Sequence, residues 1–230
     1  MSLEPLVSLV QQTPASVLTK DALVLVHLIA LAVGIGTVLR TDLAILRGLR
    51  RPFTHADFDC VARAHHTISR ALWVLWFSGL ALFFLKTGGD PSEASAKLMA
   101  KLATVSFLTV TAMIFSDVGL PILRAQVGQP LVALSLRHRC ALAILAGLSV
   151  GGWSTSLILG GAATTQTAEW SGLAVLMACT HGCSVTCALT AACIVPLLFG
   201  QSAAIGGNNV EPMRPRHPTQ DSVIRIDRAA

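Results

Sequence analysis

Five long apolar runs decide what this chain can fold into: Ala22 to Leu39 and on toward Leu46, Ile68 to Leu85, Leu98 to Leu123, Cys140 to Leu159 and Trp170 to Phe199. A helix of about 20 residues, rising about 1.5 Å per residue, crosses roughly 30 Å of hydrocarbon. Lipid offers the backbone no hydrogen bonds, so only helices and closed barrels can span it. The ten-residue alternation of barrel strands is missing. The chain therefore reads as an all-α integral membrane bundle of about five transmembrane helices. The spans fall near residues 22–46, 68–85, 98–123, 140–159 and 170–199, within one domain over 1–205. Composition agrees, with 53% hydrophobic against 13% charged residues and a mean hydropathy of +0.66.

The basic residues carry the orientation. Of 17 Lys and Arg, the four lysines Lys20, Lys86, Lys97 and Lys101 fall at one end of the spans. The arginines fall at the other: Arg40, Arg47, Arg50, Arg51, Arg63 and Arg70 between the first two spans, Arg124, Arg137 and Arg139 between the third and fourth, and four more in the tail. The positive-inside rule then places the N-terminus outside and the C-terminus in the cytoplasm, which an odd number of spans requires. No basic stripe is interleaved with aromatics, so the expected partner is the lipid bilayer and not nucleic acid. A homo-oligomer or a larger membrane complex remains open. Arginines follow the first run, whereas little that is basic precedes it, the pattern of a retained helix and not of a cleaved signal. Pro5 to Gln11 reads as a short interfacial helix, and residues 206–230 as a disordered cytoplasmic tail.

Ionisable groups inside spans are costly and ask for a reason. His27 lies five residues into the first run, about 8 Å deep by helix rise. A neutral imidazole there can ligate a metal, and Gly34, seven residues on, lets a flat ligand or another backbone come close. His181 sits among the small residues Ala178, Cys179, Thr180, Gly182, Cys183 and Ser184. It either bonds a hydroxyl on a neighbouring helix or serves as a ligand. Counted from the start of its run it is about 16 Å deep, which argues against its sharing one iron with His27. Lys101 and Met177 match His27 better in depth. Cys179, Cys183 and Cys187 share a helix face roughly opposite His181 and read as small hydrophobes.

At the arginine end stand Arg40, Asp42, His65, His66, Arg70, Asp117 and His138. Arg40 and Asp42 are two residues apart and point different ways, so Asp42 needs a partner elsewhere, Arg70 or His66 being the simplest. Such a cluster either pins helix ends together or admits protons or cations. Neither a nucleophile with its base nor a phosphate loop nor a metalloprotease motif is present, and no enzymatic activity is assigned.

His27 leading to Gly36, the run Arg40-Thr-Asp42-Leu-Ala-Ile-Leu-Arg47, the run Ile68-Ser-Arg70-Ala-Leu-Trp-Val-Leu-Trp-Phe-Ser78-Gly79-Leu, and Lys97-Leu-Met-Ala-Lys101-Leu resemble a group of bacterial membrane proteins. The group holds the copper-resistance D-type domain and the haem-dependent protoporphyrinogen oxidase, and the resemblance covers about residues 22–123. It implies a bundle in the bacterial inner (plasma) membrane. In it a first-helix histidine, here His27, ligates haem b, and a lysine at the start of the third helix, here Lys101, lines the same pocket. The oxidase's aromatic-rich stretch after the histidine is replaced by Gly36-Thr-Val-Leu-Arg40, and methionine-rich copper features are missing, so neither activity carries over. Three functions remain: haem-based redox chemistry near the outer face, a small transporter or ion conductor gated by Asp and His, or a non-catalytic subunit of a membrane complex.

Overall fold

The computed structural model describes residues 15–206. The expected interfacial helix at 5–11 and the tail beyond 206 lie outside the described residues. The helices are α1 (Ala15–Gly48), α2 (His55–Thr87), α3 (Ala96–Ile114), α4 (Leu120–Ala125), α5 (Leu136–Gly161) and α6 (Trp170–Gly206). The chain divides into two units, Met1–Pro196 and Leu197–Ala230, and the helical packing belongs to the first. Five stretches are long and apolar enough to cross a membrane: Val17–Gly48, His55–Thr87, Ala96–Ala125, Leu136–Gly161 and Trp170–Ile194. The all-α, five-span reading holds.

The helices overrun their apolar runs. α2 begins at His55, well before Ile68, because Thr54 and Asp57 form a capping box that satisfies the first free backbone donors. Arg51 grips the same Asp57 carboxylate with two guanidinium nitrogens, each at 2.6 Å. The added turns are amphipathic and bury Val61 and Ala64. Hydropathy marks only the part of a helix that lipid surrounds. The third span is continuous from α3 to α4 through a π-helical segment, Phe115–Gly119. Pro121 lacks an N–H and its ring would strike the carbonyl four residues back, so the helix widens and the Leu120 N–H bonds the Phe115 carbonyl.

Four helices close a ring, with α1 packed on α2, α2 on α3, α3 on α5 and α5 on α1. Ala30, Leu31, Val38, Leu72, Leu75, Leu108 and Trp153 form its central core. At the arginine end a second cluster, including Phe53, Val61, Leu123, Leu131 and Leu134, packs beneath the two connections. Those connections are stitched together: the Phe53 N–H donates to the Gln129 carbonyl at 3.0 Å, and the Gly128 N–H to the Phe53 carbonyl at 2.8 Å. Gly128 sits at φ +90°, a conformation few other residues adopt.

α6 joins the ring through α5. A side chain at Gly147 would meet the Val185 backbone at 2.6 Å, and one at Gly151 the His181 Cα at 2.9 Å. Two glycines one turn apart thus let the helices touch backbone to backbone, the usual packing device in lipid. Thr155 Oγ1 meets Thr180 Oγ1 at 2.6 Å one turn further on. Outward, Phe77 (70% exposed), Trp73 (63%) and Val175 (62%) form an apolar surface that lipid, not water, accommodates.

Candidate functional site

His27 lies on the face of α1 that continues through Leu31, Gly34 and Val38, residues that are buried in the ring. Its Nδ1 is 2.9 Å from Ser78 Oγ on α2. Ser78 has one hydroxyl proton and points it at the Val74 carbonyl, 2.6 Å away. The hydroxyl must therefore accept, so His27 Nδ1 carries the proton and donates. In the neutral imidazole Nε2 then keeps its lone pair. Among the described residues that nitrogen has no hydrogen-bond partner, and the residue is only half-buried. Gly79 adds room, since a Cβ there would approach His27 Cε1 at 3.5 Å.

Lys101 of α3 lies within electrostatic range of His27. It is half-buried, and Lys97 and Lys86 lie within the same kind of range of it. Lys97 also reaches the Ala162 carbonyl at 3.5 Å. Three helices thus bring an imidazole and a set of lysines to the lysine end of the ring. Gly34 has a different task. A Cβ there would lie 2.2 Å from the ring of Trp153, so the indole fills the space expected for a flat ligand.

His181 repeats the lock in another place. Its Nδ1 is 2.7 Å from the Met177 carbonyl, which can only accept, so Nδ1 again carries the proton. Its Nε2 is buried without a partner. Phe107 stands edge-on to the imidazole with centroids 4.7 Å apart, and Gly151 and Gly152 face it from α5. His27 is about 18 Å along α1 from Ala15, and His181 about 16 Å along α6 from Trp170. What distinguishes them is their surroundings. His27 meets Ser78, Gly79 and Lys101, whereas His181 meets Phe107, Met177, Gly151 and Gly152.

The polar residues of the arginine end are not joined into a network. Among the described residues no hydrogen bond or ion pair connects Arg40, Asp42, His66, Arg70 and Asp117; the ion pair found there is Arg51–Asp57. The expected partnership of Asp42 with Arg70 or His66 is not formed. α2 explains this for Arg70, which sits fifteen residues into a helix that starts at His55, on an outward face. Asp117 is exposed in the π segment. His65 instead leans on Phe115, centroids 5.5 Å apart. Cys179, Cys183 and Cys187 are exposed free thiols on α6.

Ser78, Phe107, Gly147 and Gly151 are not singled out by residue type. Only the pair of glycines spaced by four leaves a signal, and it lies in the fourth run, not beside His181.

Fold and site together define a multi-pass helical membrane protein whose four-helix ring presents a half-buried, singly committed histidine at its lysine end. No family model, curated protein or solved structure matches the chain.

Proposed function

We propose that this membrane protein binds haem b through His27 and uses it for redox chemistry at the lysine end of the ring. The observation that carries the reading is the His27–Ser78 hydrogen bond, which orients the imidazole and leaves Nε2 free. A ligating histidine is held in this way, its other ring nitrogen donating to a fixed acceptor. Among the described residues no group of three or more His, Cys, Asp or Glu side chains could cage a bare metal ion. A haem would ask less of the protein, since it carries its own iron and one or two side chains such as His27 would suffice to hold it. Lys101, with Lys97 and Lys86, supplies positive charge for acidic substituents. When bound, the group supplies one-electron exchange. The chain's own part is to hold the imidazole neutral, aim it, and set apolar packing below it through Trp153 on Gly34.

The resemblance of residues 22–123 to haem-dependent bacterial membrane proteins points the same way, and the reading includes a lysine end that faces out of the bacterial inner membrane, as the arginine distribution expects. A periplasm-dependent reporter fused after Leu85 or Gly161 is then active, and one fused at Arg51 or Gly128 is silent. The gated-transporter reading is less well served, because Asp42, His66, Arg70 and Asp117 form no connected path among the described residues. The test of the haem reading is a pyridine haemochrome spectrum of protein purified in mild detergent. A haem b band in proportion to protein supports it; a colourless preparation from haem-replete cells rejects it.

A further inference from the structure

A groove of about 300 Å³ runs between α1 and α2 on the outward side of the ring. Its floor is alanine, with Ala30 and Ala71 both buried, and the missing side-chain volume is what opens it. Its sides are Val26, Ile29 and Val33 of α1 and Thr67, Arg70 and Val74 of α2. From Thr67 to Val74 it is about 10 Å long by helix rise. All of this is apolar except one end.

That end carries unanswered positive charge. Arg70 is exposed and forms no hydrogen bond or ion pair among the described residues. The nearest acid earlier on its helix, Asp59, is about 16 Å away along the axis. Side chains lean toward a helix's N-terminus, so the Arg70 stem lies in the groove while its guanidinium leans toward the arginine end. Arg63 on α2 and Arg40 on α1 extend the two sides, each seven residues nearer that end than Arg70 and Val33, on the same faces and exposed. Asp42 is nine residues past Val33, on the opposite side of α1. The Thr67 hydroxyl is already committed to the Arg63 carbonyl at 3.0 Å.

We propose that this groove is a binding site for one anionic phospholipid of the surrounding bilayer, an acyl chain lying on Ala30 and Ala71 and the phosphate meeting Arg70, with Arg40 and Arg63 beyond. Arginine suits a phosphate because its planar fork can give two parallel hydrogen bonds. A neutral zwitterionic lipid fits the apolar part equally well, so the preference for net negative charge resides in the arginines. The site is independent of haem and opens on the outward side of the α1–α2 seam, where Ala30 is shared between the groove floor and the ring core.

The experiment uses full-length protein in nanodiscs of equal parts phosphatidylglycerol and phosphatidylcholine, released into the gas phase for native mass spectrometry. Wild type retains phosphatidylglycerol over phosphatidylcholine at one saturable position. Arg70→Gln lowers that preference about fivefold. Val33→Trp, which fills the groove from an exposed position, removes the bound lipid while the unfolding temperature stays within that of wild type. No preference in wild type overturns the proposal. So does loss in Arg70→Gln with full retention in Val33→Trp, which reduces the arginine to a general surface charge. Retention in both variants also overturns it.

Discussion

The seam between α1 and α2 and the seam between α5 and α6 hold their histidines by the same chemistry and differ in what surrounds the free nitrogen. In each, Nδ1–H is spent on an oxygen, Ser78 Oγ in one case and the Met177 carbonyl in the other. In each, Nε2 is left with a lone pair. His27 is half-buried, with one cation from another helix, Lys101, in range. His181 has its Nε2 sealed, walled by an aromatic edge and two glycines that bring α5 against α6. The tautomer is thus the same at the two seams, and access to the free nitrogen is what differs.

The comparison is most easily broken at the glycines. Gly147→Ala forces a Cβ to within 2.6 Å of the Val185 Cα, where neither backbone can yield cheaply. A loss of about 1–3 kcal/mol of stability is expected, with a matching fall in unfolding temperature. A silent Gly147→Ala would mean that α6 is not seated on α5 as described. At the other seam, Ser78→Ala removes the acceptor that aims His27 and is expected to weaken haem retention about 10- to 100-fold. The fold should change little, because the Ser78 side chain otherwise bonds only carbonyls of its own helix. Equal losses of haem and stability would assign Ser78 to packing.

Thr155→Val sharpens the comparison further. It deletes the 2.6 Å bond to Thr180, whose hydroxyl keeps the Leu176 carbonyl, so about 1 kcal/mol or less is expected from thermal unfolding. The smallest effect belongs to His181→Leu. It removes an unsatisfied buried nitrogen along with the Met177 and Phe107 contacts, and these offset to a change of less than about 1 kcal/mol. Loss of a bound chromophore in that variant would make His181 the site and His27 the packing residue.

The spans were legible because lipid demands about 20 apolar residues in a row and little else satisfies that pattern. Helix ends were less so. Thr54-His-Ala-Asp57 spells a capping signature in plain view, yet it lies well before the apolar part of α2, in turns where only one face is apolar. That shift removed the basis for grouping Arg70 with Asp42. His27 and Lys101 could be singled out as charged or ligating groups in apolar surroundings. Their companion Ser78 could not, because its role depends on a register between helices 51 residues apart in the chain. Gly34 signalled a close approach correctly in kind, but which flat group fills it is decided by α5, which supplies Trp153.

The central claim, that His27 and not His181 is the ligand, is tested most directly by Soret absorbance per mole of folded protein in wild type, His27→Ala, His181→Ala and Lys101→Ala. A Soret band is expected in wild type, with its loss in His27→Ala and its retention in His181→Ala. Lys101→Ala should at most shift or weaken the band, since a charge partner but no iron ligand is removed. A full band in His27→Ala, its loss in His181→Ala, or no band in wild type would contradict the claim.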